Sequence, residues 1–257
     1  MRQPLSVVVT TLNNADTLPA LLESVRFADE VYVLDSGSTD QTLELLLAAG
    51  ARIGSQPFQG YGPQKAAAIN AASHDWVLLL DADEAVTPAL AAQIQATLMA
   101  PMCDAYRIAR RERMFWQWQH PGSKHNRHLR LFDRRLISMS NDPIHAAPES
   151  RGRIGLIDAP ILHWGEPDLY RKVEKINRYS SGMAAARLER ASALLPLRLV
   201  FYPPLVLLKQ LIVKRQLLNG WAGWINAVSL SYYAFLKDAK VLELQRQKAT
   251  SAPSDQP

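Results

Sequence analysis

This sequence predicts an α/β fold: an open, mostly parallel nucleotide-binding sheet flanked by helices, followed by a C-terminal helical extension. Three observations carry the prediction. β-branched runs alternate with helical patterns over the first hundred residues, short polar clusters stand at the ends of the apolar runs, and the composition turns basic and aromatic beyond Tyr170. Strands alternating with helices imply a parallel sheet covered on both faces, and such sheets bind ligands at the C-terminal ends of their strands.

The elements follow in order. "LSVVVTTL" reads as a buried strand, and Leu18, Leu21, Leu22 and Val25 of "NNADTLPALLESV" recur at helical spacing. "EVYVLDSGSTD" supplies a second strand ending in turn residues, and "QTLELLLAAGA" a helix closed by Gly50. "ARIGSQPF" is a third strand. After the loop "QGYGP" comes the helix "QKAAAINAAS", then the strand "WVLLLDADE" and the helix "PALAAQIQATLMA". Thr11-Asn13-Asn14, Asp35-Ser36-Gly37-Ser38 and Asp81-Ala82-Asp83 all fall at strand C-terminal ends and are expected to share one crevice.

The chain has 257 residues, 48% of them apolar, enough for a large α/β domain with an appendage. The single cysteine, Cys103, cannot form an internal disulfide, and the N-terminal apolar run is short for a signal peptide, so a cytoplasmic location is expected. The net charge of +5 is unevenly spread: 14 Lys/Arg face four Asp/Glu from Tyr170 to Lys248. Residues 1–168 are expected to form the α/β domain, in two halves, 1–100 and 101–168. Residues 169–248 form a basic amphipathic helical region, and 249–257 a polar, disordered tail.

The apolar run Val77–Leu80 ends in Asp81, Asp83 and Glu84. Two carboxylates one residue apart at a strand end suit a Mg²⁺ or Mn²⁺ ion, with a diphosphate completing its shell. A solvated acidic turn before the next helix is the alternative for an isolated D-x-D.

"TTLNNADTL", "VLDSGSTDQT", "GYGPQKAAAINAASHDWVLLLDADE" and "RHLRLF" occur in an order and at spacings that resemble the family 2 inverting glycosyltransferases of GT-A fold. More narrowly, they resemble the lipopolysaccharide core β-glucosyltransferase branch, over about Leu5 to Leu242. The resemblance implies that Thr11, Asn13 and Asp35 hold the nucleoside of a nucleotide-sugar donor, UDP-hexose being the expected one. It implies that the α/β domain is catalytic, with 1–100 its donor-binding half and 101–168 its acceptor half, that Asp81 and Asp83 serve the metal and donor, and that Arg130 lies near the diphosphate. Lys65 is expected to face either a donor phosphate or Asp81, because a cation at a helix start needs an anionic partner. The family's general base comes from a Val-His-Glu-like element; here "NDPIHAAPES" keeps His145 but has Ala146 where the glutamate stands. Glu149, Asp142 and His145 are therefore the candidate bases, with His145 also a candidate metal ligand. His163 reads as a buried, satisfied histidine, although family members place a histidine there too.

"YRIARRERMFWQWQHPGSKHNRHLRLFDRR" mixes arginines with Phe115, Trp116 and Trp118. It carries no nucleic-acid motif, and aromatic faces with arginines suit a sugar and its phosphates, so nucleic acid is not an expected partner. Farther on, Arg198, Pro203, Pro204, Lys209, Lys214 and Arg215 interrupt every apolar window long enough to span a bilayer. Helices lying in an anionic membrane surface are expected, peripheral to the cytoplasmic face of the inner membrane. Packing on another subunit of a homo-oligomer, or on the catalytic domain, is the alternative. The function expected is transfer of a hexose to a lipopolysaccharide-core or other lipid-linked acceptor. A polyprenyl-phosphate glycosyltransferase, a nucleotidylyltransferase and a non-catalytic membrane scaffold are the rivals.

Overall fold

The computed structural model describes residues 2–140, 147–188 and 194–251. They fall into two compact units, Met1–Glu112 with His125–Trp164, and Arg113–Lys124 with Gly165–Pro257. The segment 113–124, placed by sequence in the acceptor half, thus belongs with the C-terminal helices.

In the first unit, β1 (Leu5–Thr11), β2 (Glu30–Asp35), β3 (Arg52–Ser55) and β4 (Trp76–Asp81) alternate with α1 (Leu18–Ser24), α2 (Thr42–Ala48) and α3 (Tyr61–Ala71). All three pairings among these strands are parallel. The apolar runs are continuous because the strands are buried on both faces. Val7, Val9, Leu78 and Leu80 pack with Leu18, Leu21, Leu90 and Ile94 on one side, while Val8, Val77 and Leu79 meet Ala68, Ile69 and Phe132 on the other.

Beyond β4 the sheet becomes mixed. β5 (Glu84–Val86) and α4 (Pro88–Met99) precede β6 (Ala105–Met114), the two-residue β7 (Gln117–Trp118), β8 (Asn126–Asp133), β9 (Ile137–Met139), β10 (Pro148–Ser150) and β11 (Ile154–His163). The strand order is β3-β2-β1-β4-β8-β6-β11-β5, with β7 on β6 and with β9 and β10 forming a separate ribbon. β8 runs antiparallel to both β4 and β6, and β11 runs parallel to β6. The α/β class read from sequence holds, with this antiparallel half added to the parallel one.

Two local details position the site. Helix α3 begins at Tyr61, three residues before the point where its alanine-rich pattern starts. Pro63 is tolerated there because first-turn N–H groups have no intrahelical acceptor, and Gly60, at φ 109°, makes the entry turn. Thr87 caps α4, its hydroxyl accepting from Leu90 N at 3.2 Å, and Pro88 occupies the first turn.

The second unit contains α5 (Leu169–Leu188), α6 (Leu195–Leu208), a π-helical turn (Lys209–Val213), a 3₁₀ turn (Gln216–Asn219) and α7 (Gly220–Ser251). Arg215 and Gly220, both at positive φ, flank the 3₁₀ turn. Asn219 is buried, and its side chain accepts from His120 N at 2.6 Å and donates to Gln216 at 3.1 Å. It fastens the 113–124 segment to the 3₁₀ turn. Of the expected 249–257 tail, α7 reaches Ser251, and residues from 252 lie outside the described residues.

Candidate active site

The three polar clusters meet at the C-terminal edge of the parallel strands, where Thr11 is in register with Asp35 and Thr10 with Asp81. Asn13, in the left-handed region at φ 53°, donates its N–H to Ser38 Oγ at 2.9 Å and accepts from Thr39 N at 2.8 Å. Asp35 is buried and holds its own turn. Oδ2 accepts from Gly37 N and Ser38 N, and Oδ1 from the Ser38 hydroxyl at 2.5 Å. Asp40 likewise ties two segments together, accepting from Thr42 N and Ala15 N. Gln64, on the first turn of α3, donates to Ser36 Oγ and to the Gln56 carbonyl, both at 3.0 Å, and so pins that helix to the end of β2.

The carboxylates after β4 occupy distinct environments. Asp81 receives a cation on each oxygen, Lys65 Nζ at 2.6 Å on Oδ1 and Arg130 at 2.7 Å on Oδ2. Of the two partners expected for Lys65, the geometry gives it Asp81. Arg130 is buried, reaches the Leu79 carbonyl at 3.3 Å, and pairs with Glu84 at 2.6 Å. Glu84 is fully buried; it accepts from Asp81 N at 3.0 Å and faces Arg110 at 3.4 Å. Arg110 continues to Glu112 at 2.8 Å, and Glu112 bonds His163 Nδ1. The chain ends where His163 Nε2 approaches Asp83 Oδ2 at 3.2 Å. Asp83 is the most exposed of these carboxylates, at 35% of its side chain against 29% for Asp81 and none for Glu84.

Electrostatics sorts these groups further. Burial alone raises the Asp81 carboxyl, but the charges of Arg130 and Lys65 outweigh burial and hold it well below the usual range. Burial pushes Glu84 up, and the neighbouring Asp81 charge adds to that push against the pull of Arg130. Glu112 is brought down to about 2, because its bonds to His163 and the charge of Arg110 overcome its burial. Burial disfavours a charged His163, yet Asp83 and Glu112 prevail and lift it to about 10. Four carboxylates thus face three permanent cations, and the His163 imidazolium is the fourth. His128 differs: burial, then Arg110 and Arg130, push it down to about 4, and its Nε2 is buried with no hydrogen-bond partner among the described residues.

The sequence profile of glycosyl transferase family 2 matches residues 6–150, more than half the chain. The chain belongs to glycosyl transferase family 2. It is 29% identical over 255 residues to the lipopolysaccharide core biosynthesis glycosyltransferase LpsC of Rhizobium meliloti, spanning 96% of this chain and 94% of that protein. It is 26% identical over 265 residues to an uncharacterised glycosyltransferase of Rickettsia prowazekii, at 98% and 91% coverage. Among solved structures, S. aureus TarS in complex with UDP-GlcNAc matches with TM-score 0.49 and 16% identity over 95% of this chain and 92% of that one. Glucosyl-3-phosphoglycerate synthase from Mycobacterium tuberculosis, in complex with Mn²⁺, UDP-glucose and phosphoglyceric acid, matches with TM-score 0.36 and 28% identity over 43% and 44%.

For this glycosyltransferase, Thr11, Asn13, Asp35, Lys65, Asp81, Asp83 and Arg130 gather at one sheet edge. Glu149 does not join the ionic chain; it is exposed on β10, opposite Ser138 of β9. Asp142 and His145 lie outside the described residues. Glu84, Arg110, Glu112, His128 and His163 have no place among the sequence-derived site residues. The available signal was the alternation of Arg110 with Glu112 and of His128 with Arg130, which puts each pair on one face of its strand.

Proposed function

We propose that this family 2 glycosyltransferase moves a hexose from a UDP-sugar to a lipopolysaccharide-core or other lipid-linked glycan acceptor, in a divalent-metal-dependent single displacement at the membrane surface. The observation that supports it most is the division of labour at the end of β4. Asp81 is committed to Lys65 and Arg130, while Asp83 and His163 are left facing each other. The LpsC relative supports the acceptor class.

The donor set fits a divalent cation. An exposed carboxylate and a histidine nitrogen converge, and the other ring nitrogen is held by Glu112, the arrangement that orients and enriches a metal-binding imidazole. Among the described residues no three His, Cys, Asp or Glu side chains form a metal cage, so bound diphosphate oxygens and water would complete the shell. Asp83 and His163 would hold the ion once His163 releases the Nε2 proton that Asp83 and Glu112 stabilise, and the ion's charge would support the leaving nucleoside diphosphate. Arg130 and Lys65 keep Asp81 ionised and fixed. The turn built by Asp35, Ser38 and Asn13 shapes the nucleoside end. Glu149, three residues after Ala146 in the sequence, is the candidate acceptor of the hydroxyl proton.

Association with the membrane rests on the second unit. Leu195–Val213 is long and apolar enough to cross a bilayer, with mean hydropathy 1.4 and 6% of it buried, but it contains Arg198, Lys209 and the Pro203–Pro204 pair. Exposed Phe201, Leu208, Ile212 and Trp221 accompany Lys209, Lys214 and Arg215. Apolar surface beside cations suits helices lying in an anionic interface.

The test is incubation of the purified chain with radiolabelled UDP-hexoses and membrane extracts, with and without Mn²⁺, followed by product analysis. Label in lipopolysaccharide or another lipid-linked glycan supports the reading. Label only in a chloroform-soluble lipid monophosphate overturns it in favour of a polyprenyl-phosphate transferase.

A further inference from the structure

We infer that the helical unit carries a site for a single anionic phospholipid, in a groove of about 750 Å³ on α5, α6 and α7. Its wall is apolar: Leu194, Leu197, Phe201 and Leu205 line it, and all four are more than half exposed. An acyl chain laid there would leave water along with these side chains, and each buried methylene contributes about 0.8 kcal/mol.

The floor supplies the charge. Asp238, with only 4% of its side chain exposed, has Arg198 Nε at 2.9 Å from Oδ2 and Arg187 at 3.6 Å from Oδ1. Both arginine side chains remain partly open, at 47% for Arg198 and 36% for Arg187, and both line the groove. One carboxylate cannot neutralise two arginines. The positive excess reaches Lys237, which burial first, and then the Arg187 charge, push below its usual range. Arg198 also lies over the Tyr202 ring, 4.9 Å from its centroid, which fixes its plane beside the apolar wall. A planar guanidinium so held suits a phosphate oxygen pair.

An apolar trough ending at two arginines matches a molecule with a fatty chain and one phosphate, not a neutral lipid or a free anion. This lipid site stands whether or not the UDP-sugar reading does.

The experiment uses the full chain and dihexanoyl phosphatidylglycerol below its micelle-forming concentration, followed by calorimetry. Saturable binding of one equivalent is expected. Arg198→Gln should weaken it by about tenfold, as losing one charge-assisted bond does. Leu205→Trp should abolish it by filling the trough while both arginines remain. A cooperative unfolding transition and the parent's far-ultraviolet circular dichroism would show each variant folded. Equal affinity for dihexanoyl phosphatidylcholine, or for inorganic phosphate, would overturn the proposal. Non-saturable binding, or binding that neither variant weakens, would overturn it too.

Discussion

His163 Nε2 lies 3.2 Å from Asp83 Oδ2 while Nδ1 of the same ring bonds Glu112, so the histidine links the exposed carboxylate to a buried ionic chain. β11 sits between β6 and β5, which puts His163 in register with Glu112 on one side and with Glu84 on the other. Backbone pairing therefore fixes the imidazole before any ligand arrives.

The first prediction follows from that pair. Asp83→Asn and His163→Gln should each remove the Mn²⁺-dependent part of UDP affinity, measured by calorimetry with and without the metal. Glu112→Gln, acting through His163, should weaken it by about 10–100-fold, the usual cost of losing an orienting partner. Full transfer activity of Asp83→Asn in the presence of chelator would end the metal reading.

Arg130 carries the second. It is buried between Asp81 and Glu84, and Arg130→Met would leave two carboxylates without their shared cation. The expected loss is about 3–5 kcal/mol of stability in urea unfolding. Adding Glu84→Leu to Arg130→Met should return part of it, because the uncompensated buried charge is the larger cost. A variant lacking only Arg130 that unfolds like the parent would show that the cluster contributes little to the fold.

The parallel half was legible because its physics is local. Val7 to Val9 and Leu78 to Leu80 are apolar at every position, as strands buried on both faces must be, and turn residues mark each C-terminal end. Asp81, Asp83, Lys65 and Arg130 were singled out by their resemblance to the family's motifs, and Lys65 and Arg130 meet at Asp81. Arg110, Glu112 and His163 were not, since they meet only when β6, β8 and β11 pair across long separations. The start of α3 was misplaced because Gly62 and Pro63 look like loop residues, whereas a first turn accepts both. Glu149 reaches a ribbon rather than the cluster because Pro148 opens an extended segment that pairs with β9.

A third prediction concerns acid. Glu30, at the start of β2, takes bonds from the Ser6 hydroxyl, from Ser73 and from Arg52, and although burial opposes its charge these bring it down to about 2 from 4.5. A carboxyl lowered in the folded state stabilises fully above its unfolded value and loses that contribution as pH falls from about 4.5 to about 2. Glu30→Gln should thus be less stable than the parent at pH 7, and the difference should shrink through that window. Unfolding curves that stay equally separated at pH 7 and pH 3 would contradict this origin.

The fourth concerns the membrane. Burial and then the charges of Lys124 and Lys209 push Lys214 below its usual range, which marks a converging cluster of cations in the second unit. Replacing Lys209, Lys214 and Arg215 together by Gln should lower sedimentation with vesicles rich in phosphatidylglycerol, by about fivefold in affinity for each charge, at roughly 1 kcal/mol apiece. Binding to neutral vesicles should change little. Equal loss on both vesicle types would assign the effect to folding instead.

The last prediction tests the proton acceptor. Glu149 stands on β10, exposed, three residues after a position where alanine replaces the family's expected glutamate. If it deprotonates the acceptor hydroxyl, Glu149→Gln should lower kcat by about 10²–10⁴-fold, because the amide keeps the shape and cannot take the proton. UDP affinity should stay unchanged, since Glu149 takes no part in the ionic chain that ends at Asp83. Asp142→Asn and His145→Ala serve as the comparison: silence at Glu149 with loss at one of these moves the base to that residue. If all three variants turn over at the parent's rate, no side-chain base is needed. A phosphate acceptor, already ionised at neutral pH, then becomes the better account, and labelled lipid monophosphate is the product to look for.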